Sequence, residues 1–291
     1  MREELRRRLI EARAHAPEEI EIAAASRTRR HQLIGETGRL MIIAADHTAR
    51  GILGVGGNPL AMASRFDLLD RLVVALSRPG VDGVLGTADI IEDLMLLGAL
   101  DGKVVIGSMN RGGLLGAAFE LDDRFTGYSA AGIAASKLDA GKMLLRIDPA
   151  DPATVRTIEA CSTAVSELAQ ARKPAMIEPF MVTRDGGRPR NDLTPDAVIR
   201  SVGISSGLGS TSAYSWLKLP VVPEMDRVAE ATTLPILLLG GDPAGDQEAM
   251  FASWKNALRL PTVRGLVVGR SLLYPVTGDV ASSVDTAVGL L

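Results

Sequence analysis

Eight short apolar runs, separated by longer amphipathic segments, constrain the fold of this 291-residue chain more than any other feature. The runs are rich in Val, Ile and Leu, as the buried strands of parallel sheets are. They cover residues 39–47, 81–86, 103–110, 141–147, 174–180, 214–220, 234–241 and 263–270. Helical patterns lie between them, at 66–77, 151–172, 194–207, 223–231 and 243–258. Eight β-then-α units in a chain of this size favour an α/β fold closed as a (β/α)8 TIM barrel.

The same pattern divides the chain into two parts. We expect the barrel to occupy residues 39–291 and the first 38 residues to form a helical extension, which covers the barrel bottom or a neighbouring subunit. The alternative is an open sheet with a dinucleotide site. The Gly-rich stretch 51–59 lacks GxGxxG, and no acidic strand end follows about 20 residues later. The closed barrel is therefore favoured, and an apolar barrel with a helical arm suggests a homo-oligomer.

Composition and charge argue against several partners and locations. Aromatic residues make up 3% of the chain, the formal net charge is −3, and no basic stripe follows the first 30 residues. Nucleic acid is therefore not expected as a partner. The chain opens on charged residues and has no apolar run of about 18 residues, which predicts neither a signal peptide nor contact with a membrane. The single cysteine, Cys161, fits a reducing compartment, so we expect a soluble cytoplasmic protein.

Charged residues near the carboxyl ends of four predicted strands are expected to meet. Active sites of such barrels lie at these strand ends, and side chains alternate between the barrel interior and the helices. In the sixth run this alternation directs Trp216 and Lys218 inward. The same rule directs Lys142, Glu178 and Asp46 inward from the fourth, fifth and first runs. The alternative, a purely structural network of salt bridges, is costly to desolvate, so a functional site is the better explanation.

The types of these residues predict carbonyl chemistry. A lysine attacks a carbonyl as the neutral amine, so the pKa of Lys218 must fall below its ordinary value of about 10.4. Burial and a second ammonium group, here that of Lys142, both lower the pKa of a lysine. Glu178 can then transfer protons, while Asp46 holds substrate hydroxyls or shares that work.

The last two strand ends carry the features of a phosphate site. Gly240 and Gly241 precede a helix, and Gly269 and Arg270 precede a short one. Phosphate sites of TIM barrels commonly follow strands seven and eight, where backbone amides and helix N-termini face the anion. Either glycine pair alone is also compatible with a plain turn. Together they predict a phosphorylated small molecule as the partner.

Metal and serine-hydrolase chemistry find less support. Of the histidines His15, His31 and His47, His47 is the one at a strand end, so the histidine cluster of a zinc site is absent from the sequence. We expect neither metal nor cofactor, and we expect His47 to bind substrate or orient Asp46. The stretches "GISSGLG" and "GSTSAYS" do not form a nucleophile elbow.

Six short motifs in order resemble a known family. They are "AADHTARG", "GKMLLRID", "IEPF", "WLKLP", "LLLGGD" and "GLVVGRSLLYP", spread over residues 39 to 275. The chain resembles the class I, Schiff-base aldolases of the deoxyribose-phosphate aldolase superfamily, above all the tagatose-bisphosphate and archaeal-type fructose-bisphosphate aldolases. The resemblance implies a Schiff base on Lys218, acid/base catalysis by Glu178 and an assisting Lys142. It also implies a role for Asp46 and phosphate binding by Gly240, Gly241, Gly269 and Arg270.

The substrate is less well indicated. Arg146 stands where relatives often carry an aromatic residue, and Arg111, Arg146 and Arg184 are candidates to meet a second acidic group. Such a group suggests a phosphorylated keto-acid. The chain is similar to the aldolases of actinobacterial inositol catabolism, which implies cleavage of 2-deoxy-5-keto-gluconate 6-phosphate to dihydroxyacetone phosphate and malonate semialdehyde. Ketose 1,6-bisphosphates and deoxyribose 5-phosphate rank next, followed by a coenzyme A-dependent thiolase and a non-catalytic sugar-phosphate sensor.

Overall fold

The computed structural model describes residues 2–30, 32–35, 37–240 and 246–291. All eight predicted strands are present in it, with a further short strand after the fifth. The strands are β1 (Leu40–Ala44), β2 (Gly83–Gly86), β3 (Val104–Ser108), β4 (Ala140–Ile147), β5 (Ala175–Asp185), β6 (Arg188–Asn191), β7 (Ser215–Pro220), β8 (Ile236–Leu239) and β9 (Val263–Val268).

The parallel strands close on themselves. Their order is β4-β3-β2-β1-β9-β8-β7-β5, and β4 also pairs with β5, which completes an eight-stranded ring. The predicted (β/α)8 TIM barrel is confirmed. Strand β6 pairs antiparallel with the long end of β5 and forms a hairpin that the sequence analysis did not predict.

Two helices precede β1, and the other helices follow the barrel strands. They are α1 (Glu3–His15), α2 (Glu18–Ser26), α3 (Arg65–Ser77), α4 (Ala88–Leu96), α5 (Ala130–Ala135), α6 (Ala153–Gln170), α7 (Pro195–Ser206), α8 (Met225–Glu230), α9 (Gln247–Ala257), α10 (Arg270–Leu273) and α11 (Val280–Val288). The five predicted helical segments correspond to α3, α6, α7, α8 and α9; residues 243–245 of the last lie outside the described residues. The side chains of Ser64 and Thr194 accept hydrogen bonds from the first turns of α3 and α7, as N-caps do.

The core has two layers, as the alternation of strand residues requires. Leu217 and Leu219 of β7 belong to the cluster between barrel and helices. Ile42, Ala44 and Met176 belong to a separate cluster inside the barrel. The inward and outward faces predicted for these strands are confirmed, and the inward residues Lys142 and Lys218 are buried.

The segment before β1 packs against the bottom of the barrel. Leu33 and Ile34 contact the interior cluster. The guanidinium of Arg30 lies 2.5 Å from Asp82, whose other oxygen accepts a hydrogen bond from the backbone N–H of Met41 at 2.7 Å. This carboxylate therefore ties the extension to the start of β1. The domain boundary at residue 38 itself stays a prediction. In the described part of the chain, no helix combines the length and apolar character needed to cross a membrane.

Replacement of Gly265 by alanine is expected to destabilise the barrel. Gly265 in β9 has φ +136°, and a Cβ there would lie 1.9 Å from the carbonyl oxygen of Leu40 in β1. Both the backbone conformation and the contact oppose a side chain, so Gly265→Ala should lower the free energy of unfolding by about 1–3 kcal/mol or more. Urea titration measures the change.

Gly203 is the matched control. It lies on the exposed face of α7, and an added Cβ would meet nothing within 4 Å. Gly203→Ala should raise the free energy of unfolding by about 0.5–1 kcal/mol, because glycine is the poorer helix former. Equal effects of the two changes would contradict the close approach of β9 to β1.

Candidate functional site

A cavity of about 780 Å³ opens at the carboxyl ends of the barrel strands. Asp46, Glu178 and Lys218 line it. Arg190 of the β5–β6 hairpin and Leu115 from the segment after β3 line it as well. The site predicted at the strand ends thus coincides with a cavity large enough for a small phosphorylated metabolite.

Glu178 joins the two predicted lysines. Its Oε1 lies 2.9 Å from Nζ of Lys218, and its Oε2 forms an ion pair with Nζ of Lys142. In the register of β4 and β5, Glu178 is opposite Leu144 and Lys142 is opposite Met176, so Lys142 starts one layer below the carboxylate and reaches up to it. The side chain of Lys142 is fully buried, whereas Lys218 lines the cavity.

Asp46 is held by three donors at one oxygen. Its Oδ2 accepts a hydrogen bond from Oγ of Ser108 at 2.9 Å and lies 3.3 Å from Nζ of Lys142. Arg111 also forms an ion pair with Oδ2, and its Nε donates to Oγ of Ser108 at 2.9 Å. Within the described residues, Oδ1 receives no hydrogen bond, so one face of the carboxylate remains available to a ligand in the cavity.

The surroundings shift the pKa of each group in the pair. Burial lowers the pKa of Lys218, the guanidinium groups of Arg111 and Arg270 lower it further, and the Glu178 carboxylate opposes them. The sequence assigned the effect of a second cation to Lys142; in the structure these two arginines supply it. Burial raises the pKa of Glu178, but the neighbouring cations outweigh burial and hold it well below its ordinary value. Lys218 is thus closer to its neutral form than a solvated lysine, beside an ionised carboxylate.

His47 lies between β1 and the end of β9. Burial, with Arg270 and Lys218 nearby, lowers its pKa to about 3, so the imidazole is neutral at physiological pH. Its Nδ1 makes no hydrogen bond within the described residues. A neutral, buried imidazole at the cavity wall is suited to hydrogen bonding rather than to charge pairing.

Three of the four predicted phosphate-site residues lie in the described residues and line the cavity: Gly240, Gly269 and Arg270. Gly241 lies outside them. A Cβ on Gly269 would lie 2.3 Å from the carbonyl oxygen of Ala44, and one on Gly240 would lie 2.6 Å from Val268. Close packing of the strand ends thus accounts for both glycines.

Arg146 reaches the cavity wall but is engaged by carboxylates. Its Nε donates to Oδ2 of Asp123 at 2.8 Å and its Nη2 to Oδ1 at 2.6 Å, and its Nη1 lies 3.6 Å from Glu120. Arg184 pairs with Asp148 and Asp151 at 2.7 and 2.8 Å along the hairpin. Neither arginine presents an unpaired fork to the cavity.

The sequence analysis missed Ser108, the pair Asp123–Arg146 and a further arginine, Arg50. Ser108 follows Ile106 on the inward face of β3, so the same alternation would have found it. Arg50 lies in the quoted motif "AADHTARG", but nothing in a linear sequence shows where the side chain of such a loop residue points. In the structure it is 8% exposed and lines the cavity.

Comparisons with known proteins agree with the fold. A family model described as Cgl0159-like matches residues 38–288. The crystal structure of Cgl0159 from Corynebacterium glutamicum is 55% identical, with a TM-score of 0.97, and the match covers 100% of this chain and 97% of that one. No curated protein matches this sequence.

More distant structures share the barrel. An archaeal fructose 1,6-bisphosphate aldolase has 17% identity and a TM-score of 0.66, over 89% of this chain and 95% of that one. An archaeal aldolase with its catalytic lysine bound to the carbinolamine intermediate has 18% identity and a TM-score of 0.67, over 89% and 96%. At these identities the likeness concerns the fold.

Replacement of Arg270 by methionine is expected to raise the pKa of Lys218, because the Arg270 guanidinium lowers it. Competitive labelling of Lys218 across a pH series measures the change. Arg190→Met is the matched control: Arg190 lines the same cavity but is paired with Asp185 at 2.9 Å. An unchanged or lower pKa in Arg270→Met would contradict the electrostatic account of the lysine.

Proposed function

We propose that this chain, which belongs to the Cgl0159-like family, is a class I aldolase that cleaves a phosphorylated ketose or keto-acid through a Schiff base on Lys218. The observation that carries the proposal is the placement of the Lys218 amine, buried at a strand end, 2.9 Å from an ionised glutamate and facing the cavity. A structural ion pair has no need to face a cavity. Carbonyl chemistry needs the amine there.

Imine formation uses the pair Lys218–Glu178. The neutral amine attacks the ketone carbon, and the resulting carbinolamine loses its hydroxyl group as water when that oxygen receives a proton. Glu178 contacts the reacting nitrogen, so it can take the proton that the amine releases and deliver it to the departing oxygen. The fully buried Lys142 keeps Glu178 ionised between these transfers, since its ammonium favours the carboxylate.

Cleavage of the carbon–carbon bond needs a base at the neighbouring hydroxyl. When that hydroxyl loses its proton, the electron pair of the bond moves to the iminium nitrogen, an enamine forms and an aldehyde leaves. Asp46 has an open Oδ1 at the cavity wall, and Glu178 contacts the reacting nitrogen; Glu120 also lines the cavity but lies beside Arg146. Protonation of the enamine carbon and hydrolysis of the imine by water then release the ketone and restore the amine.

The phosphate of the substrate is assigned to the wall formed by Gly240, Gly269 and Arg270. A guanidinium beside the carboxyl ends of β8 and β9 suits a phosphate dianion. With the phosphate there, the released ketone is dihydroxyacetone phosphate. The substrate that we rank first is 2-deoxy-5-keto-gluconate 6-phosphate, whose other product is malonate semialdehyde.

Borohydride trapping is the decisive test. The protein treated with dihydroxyacetone phosphate and borohydride should gain one adduct, mapped to Lys218 by peptide mass spectrometry, because reduction converts the imine to a stable amine. Lys218→Ala should gain none. An adduct on Lys142 would mean that the two lysines have the opposite roles. The absence of an adduct with every phosphorylated ketone tested would reject the Schiff-base mechanism.

Glu178→Gln is expected to lower kcat for cleavage by about 10²- to 10⁴-fold, the usual contribution of a positioned acid/base. The substitution keeps the size of the side chain but removes its charge and its proton. Stopped-flow measurement of the slow step in wild type and variant gives the ratio. Glu230→Gln, at the exposed end of α8, is the control and should keep the wild-type kcat; a loss within threefold in Glu178→Gln would assign proton transfer to another group.

A further inference from the structure

We propose that Arg50 binds a carboxylate on the aldehyde half of the substrate and so selects acidic aldehydes. This inference rests on the proposed aldolase function and deepens it, because it assigns the chemical class of the group that leaves. It also replaces the earlier candidates Arg111, Arg146 and Arg184 for recognition of a second acidic group.

Arg50 is a buried guanidinium with unused donors. It ends the short 3-10 helix Thr48–Arg50 after β1 and is 8% exposed. Its Nε donates to the carbonyl oxygen of Gly113 at 2.7 Å, which fixes the plane of the group. Within the described residues, its two terminal nitrogens have no hydrogen-bond or ion-pair partner, and the side chain lines the cavity. A buried guanidinium with free N–H groups facing a cavity is poised to bind an anion there.

Other arginines of the cavity wall differ from Arg50 in being paired. Arg146 is held by Asp123 and Glu120, Arg111 by Asp46, and Arg190 by Asp185. Each of these charges is already balanced by a carboxylate. Of these four arginines, Arg50 is therefore the one without a carboxylate partner among the described residues.

The surrounding charges favour a monoanion. Arg146 lies close enough to lower the pKa of Arg50, after the larger effect of burial, and Asp123, Glu178 and Glu120 oppose it. The two arginines and the carboxylates of Asp123 and Glu120 together carry no net charge, so each further negative charge on a ligand is repelled by those carboxylates. A planar carboxylate matches the fork of a guanidinium and brings one negative charge, whereas a phosphate dianion would bring two.

The position of Arg50 assigns it to the aldehyde half. Arg50 follows β1, which pairs with β9, but its guanidinium reaches Gly113, where an added Cβ would meet Nη2 of Arg146 on β4. Arg270 follows β9, which lies four strands from β4 around the ring of eight. The two ends of the cavity are therefore on opposite sides of the barrel. Lys218 on β7 and Glu178 on β5 lie between them. A substrate with its phosphate at Arg270 and its ketone at Lys218 extends its far end toward Arg50.

The test is aldehyde selectivity in the condensation direction. Dihydroxyacetone phosphate is combined with malonate semialdehyde, with propanal as its neutral counterpart and with glyceraldehyde 3-phosphate as a dianion. Wild type should prefer malonate semialdehyde. Arg50→Met should lower kcat/KM for malonate semialdehyde by about 10- to 100-fold, the effect of losing a hydrogen-bonded charge pair, and change that for propanal by less than about threefold. Arg190→Met is the matched control and should keep the wild-type preference.

Borohydride trapping separates this inference from the proposed function. Arg50→Met should still form the Lys218 adduct with dihydroxyacetone phosphate, since Arg50 does not touch the ketone half. An intact adduct with an unchanged preference for malonate semialdehyde would overturn the role of Arg50 and leave the aldolase standing; a wild-type preference for glyceraldehyde 3-phosphate would overturn the carboxylate assignment. If Arg50→Met does not fold, Arg50→Lys serves: it keeps the charge without the fork, so the preference should weaken but persist, and a preference equal to wild type would overturn the proposal.

Discussion

The Glu178 carboxylate lies between two lysine ammonium groups inside a closed barrel, and the charged side chains near the carboxyl ends of the strands depend on it. Each of its oxygens meets a different ammonium group. Removing one partner of such a buried group typically costs about 3–5 kcal/mol, because the remaining charge is left without balance. Asp46 extends the network through Lys142 and Arg111, so charges on five strands or strand ends depend on one another. The barrel tolerates them because each of these groups lies against an oppositely charged one.

Much of this arrangement was predictable because it follows from local periodicity. Side chains alternate between the two faces of a strand, and in a closed parallel barrel the apolar face packs against the helices. Lys218 of β7 and Glu178 of β5 must therefore lie on the inward face. The count of eight β-then-α units likewise predicted the closed (β/α)8 barrel. Where the chain leaves regular structure, that reasoning loses its basis. The hairpin of β5 and β6 and the long segment between β3 and α5 have no period, yet they decide which arginine is paired.

Arg146 and Arg50 illustrate the difference. Alternation on β4 correctly turned Arg146 inward, and from there an acidic substrate group was a reasonable partner. Asp123 and Glu120, more than 20 positions earlier in the sequence, fold back over the barrel and occupy its guanidinium. Gly113 in the same segment fixes Arg50 through its carbonyl oxygen. One irregular segment thus pairs with Arg146 and orients Arg50. These contacts are long-range in sequence, so local periodicity cannot predict which arginine is free to bind a ligand.

The opposing influences on Lys218 suit a reaction that needs the amine neutral at one stage and the nitrogen charged at the next. Burial, Arg111 and Arg270 favour the neutral amine before the ketone arrives, whereas Glu178 favours the cation. In the proposed reaction, a phosphate dianion bound at Arg270 offsets that guanidinium, which shifts the balance toward positive charge on the nitrogen. The phosphate arrives with the ketone, and it is still bound when the imine must be protonated to accept electrons from the breaking bond. Burial and Arg111 oppose its effect and keep the neutral amine accessible for the attack on the ketone.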